Sequence, residues 1–359
     1  MRDDHELLIR ETVATHVSPT VRVSTIEPLP LWAHERGWSG AEVRRYQVSL
    51  DGAALLTLIT KTMPLNERRV VLRLSAQRHA VVPYAHTHDL TTDAPVLTCM
   101  QDVAADLALR LGPEGTSGRG HTNAVAPAVA TALAAIHAAN LGRHTEVVWL
   151  PTADPEGTWI TGLRRDWRRQ WEHALTHAVG FAQQFAAYTA PLERAADRLV
   201  QTLGDLWREG TCLTLVHGDF QGAHVLLHQG QPYLIDWGAA CYGPLNLDLP
   251  GYFTPHTVRH YRRALADLGV TIPEPAFLER YAEAGRYVGF KYMGGILQQW
   301  PAQVRSLIVA VAWALEGTQP DRPFAATPNT WCWIRKRLRS SSAAIPERDP
   351  QHLAADTGE

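Results

Sequence analysis

A short passage with the character of β-strands interrupts the helical second half of this sequence, and it limits the possible folds more than any other feature. Residues 213–238 read LTLVHGDFQGAHVLLHQGQPYLIDWG. Short apolar runs separated by glycine and polar residues are typical of buried strands joined by tight turns. Asp219 and Asp236 each follow one of these runs. The passage therefore predicts a small β unit that places two carboxylates in loops among helices.

The sequence on both sides of this passage predicts long helices. Alanine, leucine and charged residues recur at helical spacing in residues 125–140, 164–188 and 190–210. A glycine- and serine-rich stretch within residues 106–120 predicts a flexible connection or lid. We therefore expect an α-rich C-terminal lobe over residues 104–340, followed by a polar, disordered tail over residues 341–359.

The first hundred residues have a different pattern. Two apolar runs joined by Asp51-Gly52 predict a β-hairpin, because an Asp-Gly pair favours the tight turns of hairpins. A helix is expected over residues 66–79, with Asn66 as its cap, and a further strand over residues 95–103. These elements predict a β-rich N-terminal lobe over residues 1–103, so the expected fold class is α+β.

The composition argues against several classes of protein. The chain has 359 residues, 45% of them apolar and 19% charged, with a formal net charge of -2, which suits two lobes with buried cores. A near-neutral charge gives no reason to expect nucleic acid or an anionic membrane as a partner. The first residues are charged, and no stretch has the length of a membrane span, so we expect a cytoplasmic protein that acts on small molecules. The sequence does not indicate an oligomeric state.

Cysteine and histidine positions do not predict a metal site by themselves. The four cysteines are widely separated and lack Cys-x-x-Cys spacing, so neither a disulfide framework nor a thiolate zinc site is expected. His86 and His88 could be a ligand pair or part of a solvated loop, and their polar surroundings favour the loop.

Residues 217–249 match a known catalytic segment. His-Gly-Asp is followed, five residues after its aspartate, by His224, and Asp236 ends the next apolar strand. This segment resembles that of the aminoglycoside phosphotransferase and choline kinase family, which has Asn at the position of His224. The resemblance implies a protein kinase-like two-lobed fold. It also implies transfer of the γ-phosphate of ATP or GTP to a hydroxyl of a small molecule, such as an antibiotic or a biosynthetic intermediate.

The resemblance implies distinct roles for the acidic residues. Asp219 would accept the proton of the acceptor hydroxyl and orient its oxygen. Asp236 would hold Mg²⁺ against the nucleotide phosphates, since a carboxylate oxygen suits a hard cation. His217 is expected to brace the loop without reacting, and Asp248 to act as a cap or as a brace of the loop.

The N-terminal lobe contains candidates for nucleotide binding. In the segment Gly37-Trp38-Ser39-Gly40, the backbone N–H groups of Ser39 and Gly40 would cover the phosphates. Lys61 and Glu67 match the lysine and glutamate that kinases pair to hold the α- and β-phosphates. The hinge candidates, whose backbone groups would bind adenine, are Gln101 and Val103.

One departure from the family pattern affects metal binding. Imidazole is a softer ligand than an Asn oxygen, so His224 suits Mn²⁺ or Zn²⁺ better than Mg²⁺. Three interpretations remain open. His224 binds the metal ion as neutral imidazole, or Asp236 and the phosphates hold it alone, or the chain is a non-catalytic nucleotide-binding pseudokinase.

Basic residues in the helical region predict a neutral or anionic acceptor in preference to a polycation. Residues 164–169 contain four arginines, and guanidinium groups can bind carboxylates or phosphates through paired N–H donors. A solvated helix face is the alternative interpretation. The later helices add Arg262, Arg263, Arg280, Arg286 and Lys291.

Overall fold

A computed structural model describes residues 2–30, 41–51, 54–79, 81–103, 118–153 and 158–317. Its N-terminal part is an antiparallel five-stranded sheet of order β1-β2-β3-β5-β4, with one helix before the sheet and one after β3. The strands are β1 (Val23–Leu29), β2 (Val43–Leu50), β3 (Leu55–Met63), β4 (Ala85–His86) and β5 (Val96–Gln101). The helices are α1 (Arg2–His16) and α2 (Leu65–Ala76).

The β2–β3 hairpin forms where the sequence predicted it. Val43 lies opposite Lys61 and Ser49 opposite Leu55, and the buried side chains of β2 alternate along the strand because successive residues point to opposite faces. The helix after β3 begins at Leu65, directly after Pro64, so the predicted cap at Asn66 was wrong. A proline is well placed there because its fixed φ suits the entry to a helix.

Helix α1 was not predicted from the sequence. Its residues Leu8, Ile9 and Val13 are buried against Val48 and Leu58 of the sheet. Most other residues of α1 are polar or charged, so its few apolar residues did not form a clear helical pattern in the sequence.

The C-terminal part is mainly helical. Helices α8 and α9 pack closely: a Cβ on Gly289 of α8 would lie 2.5 Å from the backbone nitrogen of Ala314 on α9. A side chain at that position would therefore force the helices apart. The helices are α3 (Gly118–Asn140), α4 (Thr158–His177), α5 (Phe181–Phe185), α6 (Thr189–Glu209), α7 (Val258–Asp267), α8 (Glu274–Leu297) and α9 (Val304–Glu316).

The predicted β unit lies among these helices. Strand β6 (Leu213–Val216) pairs antiparallel with β9 (Cys241–Pro244), and β7 (Val225–His228) pairs antiparallel with β8 (Gln231–Leu234). All four residues of β6 are buried, which agrees with the uninterrupted apolar run in the sequence. The α+β, protein kinase-like two-lobed fold is thus confirmed.

Some sequence predictions concern residues that the structure does not describe. The predicted flexible connection lies mostly within residues 104–117, which are outside the described ranges, as is the predicted tail within residues 318–359. The last three residues of the predicted connection, 118–120, are instead the start of helix α3. Of the four cysteines, Cys99, Cys212 and Cys241 are described, and each is a free, buried thiol. In the described part of the chain, every helix is too short or too polar to cross a membrane.

Candidate active site

The loop after β6 depends on a glycine. Gly218 has a φ of +75°, and a Cβ at this position would lie 2.0 Å from the carbonyl oxygen of Ala239. A side chain would therefore be strained by its backbone conformation and would also collide with the facing loop. The glycine of His-Gly-Asp lets the loops that follow β6 and β8 approach each other.

Asp248 braces this loop from beneath. Its carboxylate accepts hydrogen bonds from the backbone N–H groups of His217 and Gly218, at 2.6 and 2.8 Å. His137 on α3 contributes a third contact, with its Nε2 3.2 Å from the same carboxylate. The Asp248 side chain is fully buried, so these bonds offset the cost of burying its charge. The predicted bracing role of Asp248 is confirmed.

His217 ties the two loops together. Its buried ring donates from Nε2 to the carbonyl oxygen of Ile235, at 2.8 Å, and its Nδ1 accepts from the N–H of Asp219, at 3.3 Å. Burial lowers the pKa of His217, which favours the neutral ring. The expected structural role of this histidine is confirmed.

The Asp219 carboxylate is held by two neighbouring residues of α8. Lys291 Nζ and Tyr292 Oη both lie 2.5 Å from Oδ1, and Lys291 also donates to the carbonyl oxygen of Gly218. Burial alone would raise the pKa of Asp219, but the Lys291 charge and both hydrogen bonds outweigh it and lower that pKa. Burial and the Asp219 charge raise the pKa of Tyr292 well above its ordinary value, so its hydroxyl stays protonated and donates. The result is an ionised, fixed carboxylate.

Asp236 lies across the site in a rare backbone conformation. Its φ of 64° and ψ of 59° are left-handed, which is uncommon for a residue other than glycine and occurs often at functional sites. One carboxylate oxygen lies 2.9 Å from Lys61 Nζ. Burial would raise the pKa of Asp236, but Lys61 outweighs that effect and lowers it.

Lys61 links Asp236 to Glu67. Its ammonium lies 2.6 Å from Glu67 Oε1, and the Glu67 side chain is only 4% exposed. Burial opposes the charge of Lys61, but the two carboxylates outweigh it and raise its pKa. Burial raises the pKa of Glu67, and Lys61 offsets part of that rise. The lysine therefore remains charged and joins the sheet to the loop after β8.

His224 lies between the two aspartates. Its Nδ1 is 2.6 Å from the carbonyl oxygen of Asp219, and its Nε2 is 3.4 Å from Asp236 Oδ2. A carbonyl oxygen only accepts, so Nδ1 carries a proton and donates. In the neutral ring, the lone pair of Nε2 then points towards Asp236. Stacking on His217, with ring centres 5.5 Å apart, fixes this orientation.

The hinge candidates lie at the end of β5. The N–H of Gln101 donates to the carbonyl oxygen of Tyr84, at 2.9 Å, so it is already used within the sheet. Lys61 lies opposite Thr98, and Thr98 comes three residues before Gln101 on β5. Lys61 and Gln101 are therefore about 10 Å apart along the strands. Val103 is buried, and Asp102 forms an ion pair with Arg45, at 2.5 Å. Ser39 and Gly40 lie outside the described residues.

The structure brings together five of the predicted site residues and adds two. Lys61, Glu67, Asp219, His224 and Asp236 form one connected cluster. The contact of Asp219 with Lys291 and Tyr292 was not predicted. The sequence feature that could have indicated this contact is a single lysine within the apolar stretch YVGFKYMGGIL of α8.

The arginines expected to face an acceptor are mostly paired with carboxylates. Arg164 contacts Asp197, and Arg168 contacts Glu193. Because their charges are neutralised locally, these arginines give no support to an anionic acceptor. The same holds for four more pairs, Arg169–Asp166, Arg262–Glu274, Arg280–Glu209 and Arg286–Glu283.

Comparison with known proteins identifies a family. Residues 34–290 match the profile of the phosphotransferase enzyme family, which is more than half of the chain. No curated protein sequence matches the chain significantly.

Several solved structures resemble the chain at low sequence identity. A macrolide 2'-phosphotransferase from Brachybacterium faecium is 17% identical, with 88% of this chain and 98% of that chain covered and a TM-score of 0.49. A choline kinase from Streptococcus pneumoniae is 13% identical, with 86% and 99% covered and a TM-score of 0.47. A choline/ethanolamine kinase family protein from Mesorhizobium loti is 15% identical, with 88% and 92% covered and a TM-score of 0.49. Similarity at this level says nothing about the acceptor of this chain.

Proposed function

The chain belongs to the phosphotransferase enzyme family, and from that membership we propose that it transfers the γ-phosphate of ATP or GTP to a hydroxyl of a small molecule, such as an antibiotic or a biosynthetic intermediate. One observation carries the proposal. Two ionised aspartates, Asp219 and Asp236, face each other across His224, and each has its own lysine. This arrangement separates an acceptor side from a nucleotide side within one site.

On the nucleotide side, Lys61 would bind the α- and β-phosphates. Glu67 fixes the position of its ammonium, because the glutamate is buried and approaches Lys61 within 2.6 Å. When nucleotide enters, the phosphates would replace Asp236 as a partner of Lys61, which would free Asp236 Oδ1. The resting ion pair thus keeps both residues oriented for binding.

The donor atoms beside Asp236 fit a divalent cation. Asp236 Oδ2 and His224 Nε2 are 3.4 Å apart, within about 0.5 Å of the roughly 3.0 Å that separates neighbouring ligands of an octahedral ion with bonds of about 2.1 Å. The Nδ1 hydrogen bond to the Asp219 carbonyl orients the His224 ring, as in other histidine ligands. We propose that Asp236 and His224 hold Mg²⁺ or Mn²⁺, and the mixed donor set favours Mn²⁺. When bound, the cation would neutralise charge on the nucleotide phosphates.

On the acceptor side, Asp219 would orient the hydroxyl and take its proton. The hydroxyl oxygen bonds to the γ-phosphorus, the bond from that phosphorus to the β,γ-bridging oxygen breaks, and ADP or GDP leaves. The lowered pKa of Asp219 makes it a weak base, which suits a loose transition state in which proton transfer comes late. Lys291 and Tyr292 hold the carboxylate in place throughout.

Transfer of label tests this function directly. The protein is incubated with ATP or GTP labelled at the γ-phosphate, with Mg²⁺ or Mn²⁺, and with a panel of hydroxyl-bearing antibiotics and metabolites. We expect label on one acceptor class with the wild type and almost none with Asp219→Asn. If nucleotide binds but no member of a broad panel is labelled, the pseudokinase interpretation would replace this proposal.

A further inference from the structure

A second cluster of histidine and carboxylate groups lies away from the candidate active site. His86 on β4 and His88 just after it approach Glu11 on α1. The Nε2 atoms of both histidines face Glu11 Oε2: His86 Nε2 is 3.5 Å away, and His88 Nε2 forms a hydrogen bond with it. One ligand atom from each of the three residues lies within 4.8 Å of the other two.

We propose that Glu11, His86 and His88 form a binding site for a divalent transition-metal ion of the zinc class, which joins α1 to the edge of the sheet. Two imidazole nitrogens and one carboxylate oxygen are a ligand set that zinc accepts. With bonds of about 2.0 to 2.1 Å, two ligands of a tetrahedral zinc ion lie about 3.4 Å apart. His86 Nε2 and Glu11 Oε2 are already at about this distance. A small outward rotation of the exposed His88 side chain would bring its Nε2 to the same distance from Glu11 Oε2.

The backbone holds the three ligands in place. His86 ends β4 and His88 follows at a bend, and both rings direct Nε2 towards Glu11, while Thr87 between them donates from its hydroxyl to the carbonyl oxygen of Leu97. His86 also lies in register opposite Cys99 of β5. A ligand such as His86, which is carried by a paired strand, loses little conformational freedom when it binds an ion.

Helix α1 supplies the third ligand from an equally fixed position. Its residues Leu8, Ile9 and Val13 are buried in the core of the sheet, on either side of Glu11. At the end of the helix, His16 Nε2 donates to the carbonyl oxygen of Ala85, at 3.0 Å. These contacts fix the junction of α1 and β4.

This site cannot share its ion with the candidate active site. Lys61 lies opposite Thr98 in the sheet, whereas His86 and Thr60 both lie opposite Cys99, the next residue along. Successive residues of a strand point to opposite faces, so His86 and Lys61 are on different faces of the sheet. Glu11 comes from α1, whose His5 contacts Thr60, at 3.0 Å, on the face opposite Lys61.

Zinc binding to the metal-free protein, without nucleotide, tests the proposal. Affinity is measured by competition with a chromophoric chelator. We expect one tightly bound Zn²⁺ in the wild type, and about 100-fold weaker binding or more after His88→Ala or His86→Ala. Glu11→Gln should weaken binding in the same direction. His88 is about half exposed, so His88→Ala should fold normally and should lose only the rise in melting temperature that Zn²⁺ gives the wild type.

Two control variants separate this site from others. Asp236→Asn removes the candidate active-site ligand, and His173→Ala breaks the His173–His177 pair on α4, whose ring centres are 4.7 Å apart. Both should bind Zn²⁺ as the wild type does. Loss of binding in either control, with retention in His86→Ala and His88→Ala, would place the ion elsewhere and overturn the proposal, as would the absence of any binding. Because no step depends on phosphate transfer, these outcomes are independent of the proposed enzymatic function.

Discussion

The two aspartates of the candidate site differ in how they are held. Asp219 is 25% exposed and is fixed within the C-terminal part by Lys291 and Tyr292 of α8. Asp236 is 48% exposed, has a left-handed backbone, and is paired with Lys61 from the sheet. Two residues of α8 hold one carboxylate, and a lysine of β3, which we propose transfers to the nucleotide phosphates, holds the other. This difference suits a base that must not move and a ligand that must be released when substrate binds.

The strongest test of this comparison replaces each aspartate separately. Asp219→Asn should lower kcat by about 10²- to 10⁴-fold, because it removes the proposed general base, while nucleotide affinity should stay near that of the wild type. Asp236→Asn should weaken metal-dependent nucleotide binding. Steady-state kinetics with the acceptor and nucleotide titration would measure both effects. Equal loss of nucleotide affinity in the two variants would contradict the division into an acceptor side and a nucleotide side.

A second test concerns the brace beneath Asp219. In Asp248→Asn, the side-chain NH₂ group would face one of the two backbone N–H groups that donate hydrogen bonds to the carboxylate in the wild type. We expect a loss of about 2 to 3 kcal/mol in the free energy of unfolding, measured by urea denaturation. Asp197→Asn is the matched control, since this exposed residue forms an ion pair with the exposed Arg164, and it should change stability by about 0.5 kcal/mol or less. Similar losses in both variants would contradict the bracing role.

A third test measures the contribution of Lys291 to the ionisation of Asp219. The pKa of Asp219 is lowered because Lys291 outweighs burial. Lys291→Met should therefore raise that pKa and move the acidic limb of the kcat/KM profile to higher pH. Activity on that limb should fall about tenfold for each unit of displacement, with less loss at alkaline pH. Tyr292→Phe removes a hydrogen bond without a charge and should move the limb less. An unmoved acidic limb in Lys291→Met would rule out this electrostatic role.

The smallest expected effect concerns His224, which contacts Asp219 on the acceptor side and Asp236 on the nucleotide side. His224→Asn replaces an imidazole nitrogen with an amide oxygen, which Mg²⁺ prefers. The ratio of Mg²⁺- to Mn²⁺-supported kcat should rise severalfold, while acceptor KM stays nearly constant. The same kinetic assay with both metals measures it. A ratio equal to that of the wild type would indicate that Asp236 and the phosphates hold the cation without His224.

The sequence predicted the parts of the site that are carried by local motifs. His217, Asp219, His224 and Asp236 lie within 20 residues of one another in a single β unit, so their proximity follows from short loops. Lys61 and Glu67 are also close in sequence, and they form an ion pair in the structure. Their roles in binding nucleotide and metal stay predictions.

The contacts between distant segments could not be predicted in this way. Lys291 and Tyr292 are more than 70 residues from Asp219, and only the packing of α8 against the β unit brings them to it. The ion pairs of Arg164 and Arg168 were not predicted either, because their partners Asp197 and Glu193 lie on another helix, α6. Likewise, Glu11 joins His86 and His88 through a helix that the sequence pattern did not reveal.

The sequence by itself determined the α+β class, the family, and the identity of the residues in the His-Gly-Asp and Tyr-Leu-Ile-Asp segments. These features depend on hydrophobic periodicity and on short-range spacing, which are properties of the linear chain. The tertiary structure alone decided which charges are paired, which carboxylates are ionised and fixed, and which histidines face a common acid. Those properties depend on burial and on distances of a few ångströms between segments far apart in sequence, because electrostatic and hydrogen-bond energies change steeply over that range.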